Sequence, residues 1–359
     1  MKATIAVLPG DGIGTEVAAE AERLLQRIAE RHGHTFTLTT GLIGGAAIDA
    51  TGSPLPDETL ALCQAADAVL LGAVGGPKWS DPNAPVRPEQ GLLALRKALG
   101  VYANLRPVKP HPVAARHSPI KAEVLDGVDL MFVRELTGGS YFGEKRRDAD
   151  SAFDGCLYTV AEIERVTRHA GKLARQRSGR LTHVDKANVL ETSRLWRATV
   201  NRVMAEEFGD IEVEHVLVDA MAMHLLTRPS SYDVILTENL FGDILTDEAS
   251  VLAGSMGLLA SASLGDGAKG LYEPIHGSAP DIAGRGIANP YAMLLSVALL
   301  LRHSLGLDTE AAEVEQAVWQ ALDEGALTRD LVADGALSTR EAGEAVIRRL
   351  PSVPASSAA

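Results

Sequence analysis

The chain has 359 residues, of which 46% are hydrophobic and 23% are charged, a composition typical of globular proteins rather than disordered ones. Its formal net charge of −13 disfavours nucleic-acid binding, because proteins of that class usually carry a basic surface. The longest apolar run, residues 291–301, is about half a membrane span, and the N-terminal segment lacks a signal-peptide cleavage region. Two cysteines without a C-x-x-C motif argue against a disulfide framework or a zinc ribbon. We therefore expect a cytoplasmic protein with neither a nucleic-acid partner nor a membrane partner.

The first predicted element is a strand at residues 4–8, followed by a glycine-rich turn at residues 9–12 and a helix that ends near Gly33. A strand, a turn of this kind and a helix are the opening unit of an α/β fold. The glycine pattern is G-x-G-x-G rather than G-x-G-x-x-G, and it is therefore a weak dinucleotide fingerprint. It is more typical of a loop whose backbone approaches a ligand closely.

Strands and helices then alternate along the chain, which predicts the α/β class. Further strands are predicted at residues 67–73, 130–133, 181–184, 214–218 and 233–236, and helices at residues 58–66, 160–177, 191–208, 290–304 and 310–323. The proline-rich segment 77–88 is predicted to be a loop, and residues from Pro351 onward a disordered tail.

The segment NLFGDILTDEAS, residues 239–250, combines helical apolar spacing with two acidic residues, Asp243 and Asp247. Side chains four residues apart lie on the same face of a helix, so these two carboxylates would repel each other unless a cation were bound between them. An oxygen-only pair suits a hard divalent ion such as Mg²⁺ or Mn²⁺. The alternative is an ordinary solvated helix face that never binds a metal.

Three arginines, Arg96, Arg106 and Arg134, lie near the ends of predicted strands and helices. A guanidinium can bind a carboxylate through two parallel hydrogen bonds, although a single arginine is most often a surface residue. Three such residues in a chain that also carries an acidic pair indicate a dicarboxylate or tricarboxylate substrate.

Three further polar residues interrupt apolar segments and are candidates for chemistry. Tyr141 follows two glycines and a serine, and its phenol could deliver a proton, although an aromatic residue in such a position, taken alone, more often has a packing role. Lys186 follows a predicted strand; beside a metal it would be a candidate base, and otherwise a surface charge. Asp219, where a strand passes into a helix, is a candidate third metal ligand.

The segment EPIHGSAPDIAGRGIANP, residues 273–290, is rich in Gly, Pro and Ala and is predicted to be a shaped loop. Its polar residues suit the binding of a nucleotide, with Asp281 accepting hydrogen bonds from ribose hydroxyls. An ordinary connecting loop would have a similar composition.

Taken in order, these segments resemble the β-decarboxylating dehydrogenases of the isocitrate and isopropylmalate family, and within it the branch that acts on 3-isopropylmalate. The motifs PGDGIG, YANLRPV, RELTGGSYFGE, VDKANVLE, NLFGDILTD and EPIHGSAPDIAGRGIANP carry the likeness, which extends to about residue 345. It implies a two-domain α/β fold with a central mixed sheet flanked by helices, distinct from a Rossmann fold. Residues 1–101 and 255–359 would form the cofactor-side domain, and residues 102–254 the domain for dimerisation, substrate and metal.

The resemblance also implies NAD- and Mg²⁺- or Mn²⁺-dependent oxidative decarboxylation of 3-isopropylmalate to 4-methyl-2-oxopentanoate in leucine biosynthesis, by a homodimer with shared active sites. It assigns residues as follows: catalysis to Tyr141 and Lys186; substrate binding to Arg96, Arg106, Arg134 and Asp219; metal binding to Asp219, Asp243 and Asp247; and cofactor binding to Ile13, Glu273, His276, Gly277, Ser278, Ala279, Asp281 and Asn289. Lys186 and Asp219 would act in the other subunit's site.

Substrate and cofactor choice are expected to depend on a few positions. Leu92 and Leu93 suit an isopropyl group, with Val189 of the facing subunit, while Glu89 would repel a third carboxylate. Asp281 would repel a 2′-phosphate, which favours NAD over NADP. Two rivals remain: an enzyme that acts on tartrate or another alkyl malate, and a non-catalytic regulatory subunit, which we expect to have lost some of these residues.

Overall fold

A computed structural model describes residues 1–81 and 83–351 of the chain. These residues form two compact units. The first unit consists of Met1–Gly100 together with the segment that begins at Ser255, and the second unit is Val101–Gly254. The resemblance places the corresponding divisions after residues 101 and 254. The predicted tail beyond residue 351 lies outside the described residues.

The elements follow in chain order. The first part of the first unit contains β1 (Lys2–Gly10), α1 (Gly14–His32), β2 (Thr35–Thr40), α2 (Gly44–Thr51), α3 (Asp57–Ala65), β3 (Ala68–Ala73) and α4 (Pro88–Leu99). The second unit contains β4 (Ala103–Val108), α5 (Pro112–Ala115), α6 (Ala122–Leu125), β5 (Leu130–Glu135), β6 (Lys145–Arg147), β7 (Ala152–Asp154), α7 (Val160–Gln176), β8 (Arg180–Asp185), α8 (Glu191–Glu207), β9 (Glu212–Leu217), α9 (Val218–Thr227), β10 (Val234–Thr237) and α10 (Asn239–Ser250). The first unit ends with β11 (Ala260–Leu264), β12 (Gly270–Pro274), α11 (Tyr291–His303), α12 (Asp308–Asp323) and α13 (Thr339–Arg349). Single 3₁₀ turns occur at Pro77–Trp79, Gly139–Tyr141, Pro229–Ser231, Val251–Ala253 and Met256–Leu258.

The strands of the first unit lie in the order β2-β1-β3-β12-β11. All neighbouring pairs are parallel except β11 with β12, which is antiparallel. The register pairs Gly10, at the carboxyl end of β1, with Ala73, at the carboxyl end of β3. This register brings the glycine-rich turn after β1 beside the turn after β3, at the edge of a parallel sheet where ligands commonly bind.

Helix α11 accounts for the longest apolar run of the sequence. Every residue from 291 to 301 in this helix is buried, because α1, α12 and the strands β11 and β12 pack around it. The run is therefore the central helix of a protein core. Among the described residues, no helix is both long enough and apolar enough to cross a membrane.

The strands of the second unit lie in the order β4-β5-β10-β8-β9, and β6 and β7 form a separate two-stranded hairpin. Strands β5, β10, β8 and β9 are mutually parallel, and β4 is antiparallel to β5. The carboxyl ends of three parallel strands therefore deliver Arg134, Lys186 and the start of α10 to one edge of the sheet.

Three predicted segments differ from the structure. Segment 77–88 is not wholly loop, because Pro77–Trp79 is a 3₁₀ turn and α4 begins at Pro88, a residue suited to the first position of a helix. The strand predicted at residues 214–218 ends at Leu217, since Val218 already belongs to α9. Glu273 does not lie in a loop, because Leu271 to Pro274 pair in the sheet as part of β12.

Helix α7 begins with a reciprocal cap whose removal should be measurable. The Thr159 hydroxyl accepts from the Glu162 backbone N–H at 3.3 Å, and the Glu162 carboxylate accepts from the Thr159 backbone N–H at 2.8 Å. We expect Thr159→Ala to lower the free energy of unfolding by about 1 kcal/mol in urea titrations. Thr159→Ser, which keeps the hydroxyl, should remain within a few tenths of a kcal/mol of the parent. Equal losses in both variants would contradict the capping role.

Candidate active site

Helix α10 carries both members of the predicted acidic pair. Asp243 and Asp247 lie one turn apart on the helix, as their spacing predicts, with 37% and 63% of their side chains exposed. Glu238 precedes the helix, and its carboxylate accepts from the Phe241 backbone N–H at 2.8 Å. An acidic cap is favourable there because of the partial positive charge at a helix N-terminus.

Asp243 is the point at which three predicted site residues of the second unit, Arg106, Arg134 and Tyr141, converge. Its Oδ1 is ion-paired with Nη1 of Arg134, and its Oδ2 accepts from the Tyr141 hydroxyl at 2.7 Å. Nη2 of Arg106 lies 3.9 Å from Oδ1. Burial acts to raise the pKa of Asp243, but the charges of Arg134 and Arg106 and the hydrogen bond from Tyr141 outweigh it, so the pKa is lowered. Asp243 is therefore ionised at neutral pH.

Arg106 connects strand β4 to the same helix. It lies within the strand rather than at its end, contrary to the prediction, because β4 continues to Val108. Its Nε donates to Asn104 Oδ1 at 2.8 Å and its Nη1 donates to Thr246 Oγ1 at 2.7 Å. Nη1 also lies 3.6 Å from Asp247 Oδ1. Burial and the charge of Asp243 nevertheless raise the pKa of Asp247, so a further cation beside these two carboxylates would be favourable.

Tyr141 is held in the 3₁₀ turn Gly139–Tyr141, above the guanidinium of Arg134, whose Cζ is 5.6 Å from the ring centre. Burial, followed by the hydrogen bond and charge of Asp243, raises the pKa of the phenol to about 12. The hydroxyl therefore keeps its proton at neutral pH, as a proton donor must.

Lys186 and Asp219 contact each other. Lys186 follows β8 directly, Asp219 lies in the first turn of α9, and Nζ of Lys186 is 2.5 Å from Oδ1 of Asp219. The hydrogen bond from Lys186 lowers the pKa of Asp219. Within residues 1–81 and 83–351, the carboxylate oxygens of Asp219, Asp243 and Asp247 do not all lie within 4.8 Å of one another, as three ligands of one metal ion in a single chain would. The pair is thus separate, within one chain, from the acidic pair on α10.

In the first unit, two residues predicted for different ligands contact each other. Arg96 lies near the end of α4 and Glu273 lies in β12, and Nη2 of Arg96 donates to Oε1 of Glu273 at 2.7 Å. Both side chains are about nine-tenths buried, so each charge is balanced by the other.

The residues predicted to select the substrate occupy different environments. On α4, Glu89 is exposed, Leu93 is half-buried, and Leu92 packs partly against the hydrophobic core of the first unit. Val189 is 62% exposed in the turn between β8 and α8 of the second unit. Leu92 therefore has a structural role in the core, and Leu93 and Val189 are better placed than Leu92 to contact a ligand.

The glycine-rich turn and the predicted cofactor loop meet in the first unit. The Ile13 backbone N–H donates to the Ser278 carbonyl at 2.9 Å. A Cβ on Gly12, whose φ is +57°, would lie 2.0 Å from that same carbonyl oxygen, so only glycine permits this approach. Ala279 follows with a φ of +38°, an unusual value for a residue with a side chain, and Asp281 is exposed.

Two other predicted cofactor residues differ in how they are bonded. Burial lowers the pKa of His276, and its Nε2 is buried without a hydrogen-bond partner among the described residues. Such an atom can accept a ligand's hydrogen bond. Asn289, in contrast, is already bonded: its Nδ2 donates to Asp330 and its Oδ1 accepts from the Tyr291 backbone N–H, both at 2.9 Å. Gly277 is exposed between these residues.

Sequence reasoning missed two buried residues. Asp11, in the glycine-rich turn, accepts the backbone N–H groups of Gly45 and Ala46 at the start of α2 and of Gly75 after β3, at 2.7–2.8 Å, and so ties both segments to the end of β1. Its position between two glycines is a signal that could have suggested a structural carboxylate. Asn239, at the start of α10, binds Arg134, and nothing in its local sequence indicates that contact.

Comparison with known proteins agrees with this architecture. The model of the family described as isocitrate/isopropylmalate dehydrogenase matches residues 4–346. A 3-isopropylmalate dehydrogenase of Rhodopirellula baltica is 55% identical over 98% of this chain and 100% of that protein. One of Anaeromyxobacter dehalogenans is 58% identical, with the same coverage. The crystal structure of isocitrate dehydrogenase from Methylococcus capsulatus is 34% identical, covers 97% of this chain and 99% of that one, and superposes with a TM-score of 0.86.

The mixed strand directions and flanking helices, together with these likenesses, confirm the predicted fold class. They identify the chain as a decarboxylating dehydrogenase. More particularly, the chain belongs to the isocitrate/isopropylmalate dehydrogenase family.

The different surroundings of Asp243 and Asp247 predict different effects on stability. Asp243→Asn should lower the free energy of unfolding by about 1–2 kcal/mol at neutral pH, because Arg134 loses its charged partner. Asp247→Asn should change it by no more than about 0.5 kcal/mol. Denaturant titrations would measure both.

The sign of the pH dependence follows from the lowered pKa of Asp243. Its contribution is present above its ordinary pKa and is lost as the pH falls through the folded-state value. The difference between the parent and Asp243→Asn should therefore shrink below about pH 4. A difference that stays constant or grows on acidification would contradict this account.

Proposed function

We propose that this chain catalyses the oxidative decarboxylation of 3-isopropylmalate to 4-methyl-2-oxopentanoate and CO₂, with NAD⁺ and Mg²⁺ or Mn²⁺, as a homodimer. The observation that carries the proposal is the convergence of Arg134, Tyr141 and Arg106 on Asp243 in α10. The names of the 3-isopropylmalate dehydrogenases, similar over essentially the full length, support the choice of substrate.

The substrate carboxylates would be bound by arginines whose charge and donor geometry suit them. Arg106 and Arg134 are buried, and each is oriented by neutral oxygens, those of Asn104 and Thr246 for Arg106 and that of Asn239 for Arg134. These neutral acceptors orient the guanidiniums without neutralising them, whereas the carboxylates of Asp243 and Asp247 offset part of the positive charge. Arg96 is assigned the same role.

The donor set on α10 fits a hard divalent ion. Asp243 and Asp247 offer only oxygen ligands, and burial, with a smaller contribution from the charge of Asp243, raises the pKa of Asp247, so a bound cation would stabilise its ionised form. Asp219 of the partner subunit would complete the set. A bound Mg²⁺ or Mn²⁺ would supply Lewis-acid polarisation of the substrate's C2 oxygen.

Two residues would move protons. Lys186 of the partner subunit would take the proton of the C2 hydroxyl as hydride leaves C2 for NAD⁺. The C3 carboxylate then departs as CO₂, leaving its bonding electrons on the substrate. Tyr141 would return a proton to C3, which its high pKa permits because the phenol stays protonated until that step.

The cofactor loop fits a dinucleotide without a 2′-phosphate. The close approach at Gly12 and the unpartnered Nε2 of His276 among the described residues provide backbone and side-chain groups for a ligand. Asp281 is exposed and negatively charged, so it would accept from ribose hydroxyls and repel a phosphate. These features favour NAD⁺ over NADP⁺.

Apolar side chains on α9 and α10 support the dimer. Met223 and Leu226 on α9, and Leu240 and Ile244 on α10, are 38–61% exposed, on two helices that contact each other. Exposed apolar residues grouped in this way are typical of an interface. Lys186, Val189 and Asp219 lie in the same unit, and the interface would bring them to the other subunit's site.

An assay of NADH formation tests the proposed function directly. Purified protein with Mn²⁺ should turn over 3-isopropylmalate with NAD⁺ and show far lower activity with isocitrate, tartrate or NADP⁺. Excess chelator should abolish the activity, and Mn²⁺ or Mg²⁺ should restore it. A preference for another malate would overturn the substrate assignment, and turnover that survives the chelator would overturn the metal requirement.

Mixed dimers test whether the active sites are shared. Lys186→Ala and Tyr141→Phe should each be strongly impaired alone. If each site takes Tyr141 from one subunit and Lys186 from the other, random hybrids restore one intact site per heterodimer, or about a quarter of the parental activity. Each variant mixed with itself is the control. A mixture no more active than the better parent would mean that each site lies within one chain.

A further inference from the structure

The first turn of α10 holds Arg134 along one edge of its guanidinium. Oδ1 of Asn239 accepts from both Nε and Nη2 of Arg134, at 3.0 and 2.8 Å. Asn239 is 1% exposed, and the side chain of Arg134 is 3% exposed. Water competes poorly for such bonds, so they restrict the rotation of the guanidinium.

The other polar groups of Asn239 bind the segment that carries Tyr141. Its Nδ2 donates to the Gly138 carbonyl at 3.2 Å, and Gly138 immediately precedes the turn Gly139–Tyr141. Its backbone N–H donates to the Tyr158 hydroxyl at 3.0 Å, and that hydroxyl donates to Oε2 of Glu238 at 2.9 Å. One amide therefore connects the arginine, the tyrosine turn and the helix.

The aliphatic part of Arg134 has its own place on the helix. A Cβ added to Gly242 would lie 2.6 Å from Cγ of Arg134, so the arginine stem packs directly on the helix backbone at this glycine. Gly242 and Asn239 are three residues apart and share a helix face. Gly242 therefore contacts the aliphatic part of the arginine side chain, and Asn239 binds its guanidinium.

We infer that Asn239 is a positioning residue that sets the orientation of Arg134 toward the substrate carboxylate and aligns the Tyr141 turn with it. The inference rests on the proposed function for its substrate. Asn239 acts through Arg134 and Tyr141, so its loss should weaken substrate binding by misdirecting the guanidinium rather than by removing its charge.

A double-mutant cycle tests the inference. Asn239→Ala should raise KM for 3-isopropylmalate by about tenfold or more, the expected effect of losing hydrogen bonds to a charged group. Arg134→Lys keeps the charge but lacks the two-nitrogen edge that Asn239 binds. In that background Asn239→Ala should raise KM no more than about twofold, because the coupling has already been lost. Independent, multiplicative effects would overturn the inference.

Two further variants separate positioning from stability. Tyr158→Phe removes the hydroxyl that links Asn239 to Glu238 but leaves the Asn239 amide in place; it should lower the melting temperature and change KM by less than about threefold. Asn201→Ala is a control at an exposed asparagine of the same unit, since Asn201 accepts from His215 Nε2 at 2.7 Å away from Arg134 and its loss should leave KM unchanged. A KM rise in Tyr158→Phe equal to that in Asn239→Ala would assign the effect to helix stability.

A measurement without substrate separates this inference from the proposed function. In protein labelled with ¹⁵N-arginine, the Nε–H of Arg134 should exchange slowly with water, and Asn239→Ala should speed that exchange by about tenfold or more. If the parent turns over no 3-isopropylmalate but this exchange difference is found, the proposed substrate is wrong and the positioning role stands. Unchanged exchange in Asn239→Ala would overturn the positioning role whatever the substrate.

Discussion

The buried charge of Arg134 is the constraint around which the second unit is organised. A guanidinium with 3% of its side chain exposed requires partners for its nitrogens, and α10 supplies them through Asn239 and Asp243. The same helix must also leave room for the arginine stem, which it does with Gly242. The segment NLFGD therefore forms a surface that fits one arginine, and its last residue, Asp243, is also the first of the two carboxylates that lie one turn apart.

Burial and reactivity are set by the same contacts in this site. Asp243 stays ionised because two arginines and a phenol face it, while burial, together with the hydrogen bond to Asp243 and its negative charge, keeps the phenol of Tyr141 protonated. The protonation state of each of these two residues therefore depends on the other. Arg96 and Glu273 show a similar balance in the first unit, where two buried opposite charges neutralise each other.

Local patterns in the sequence predicted the secondary-structure elements, because these depend on interactions between residues close together in the chain. Helix α10 followed from apolar spacing, because burial of one helix face is recorded in its periodicity, and α11 followed from an unbroken apolar run, because a helix buried on all sides is apolar throughout. The alternation of strands and helices predicted the α/β class. The motif resemblance predicted the particular fold, which is confirmed, together with a set of site residues that stays a prediction, and it gave no information on which side chains contact each other.

Contacts between distant segments could not be predicted in this way. The pairing of Arg96 with Glu273 joins residues 177 positions apart, and the bonds of Asn239 to Arg134 join residues 105 apart. Periodicity carries no information on such pairs. The same is true of Asp11, whose three backbone partners lie at the start of α2 and in the turn after β3. Extending β12 through Pro274 likewise required its neighbours, since a segment rich in Gly and Pro is by itself typical of a loop.

The strand order of the first unit has a consequence for the folding of the chain during its synthesis. β3 pairs with β12, yet about two hundred residues separate them, so at about 5–20 residues per second β3 waits some ten to forty seconds for that neighbour during synthesis. The second unit is continuous and is complete before β12 emerges from the ribosome. During that interval the edge of β3 that β12 later pairs with lacks its partner strand, and unpaired strand edges are prone to aggregation.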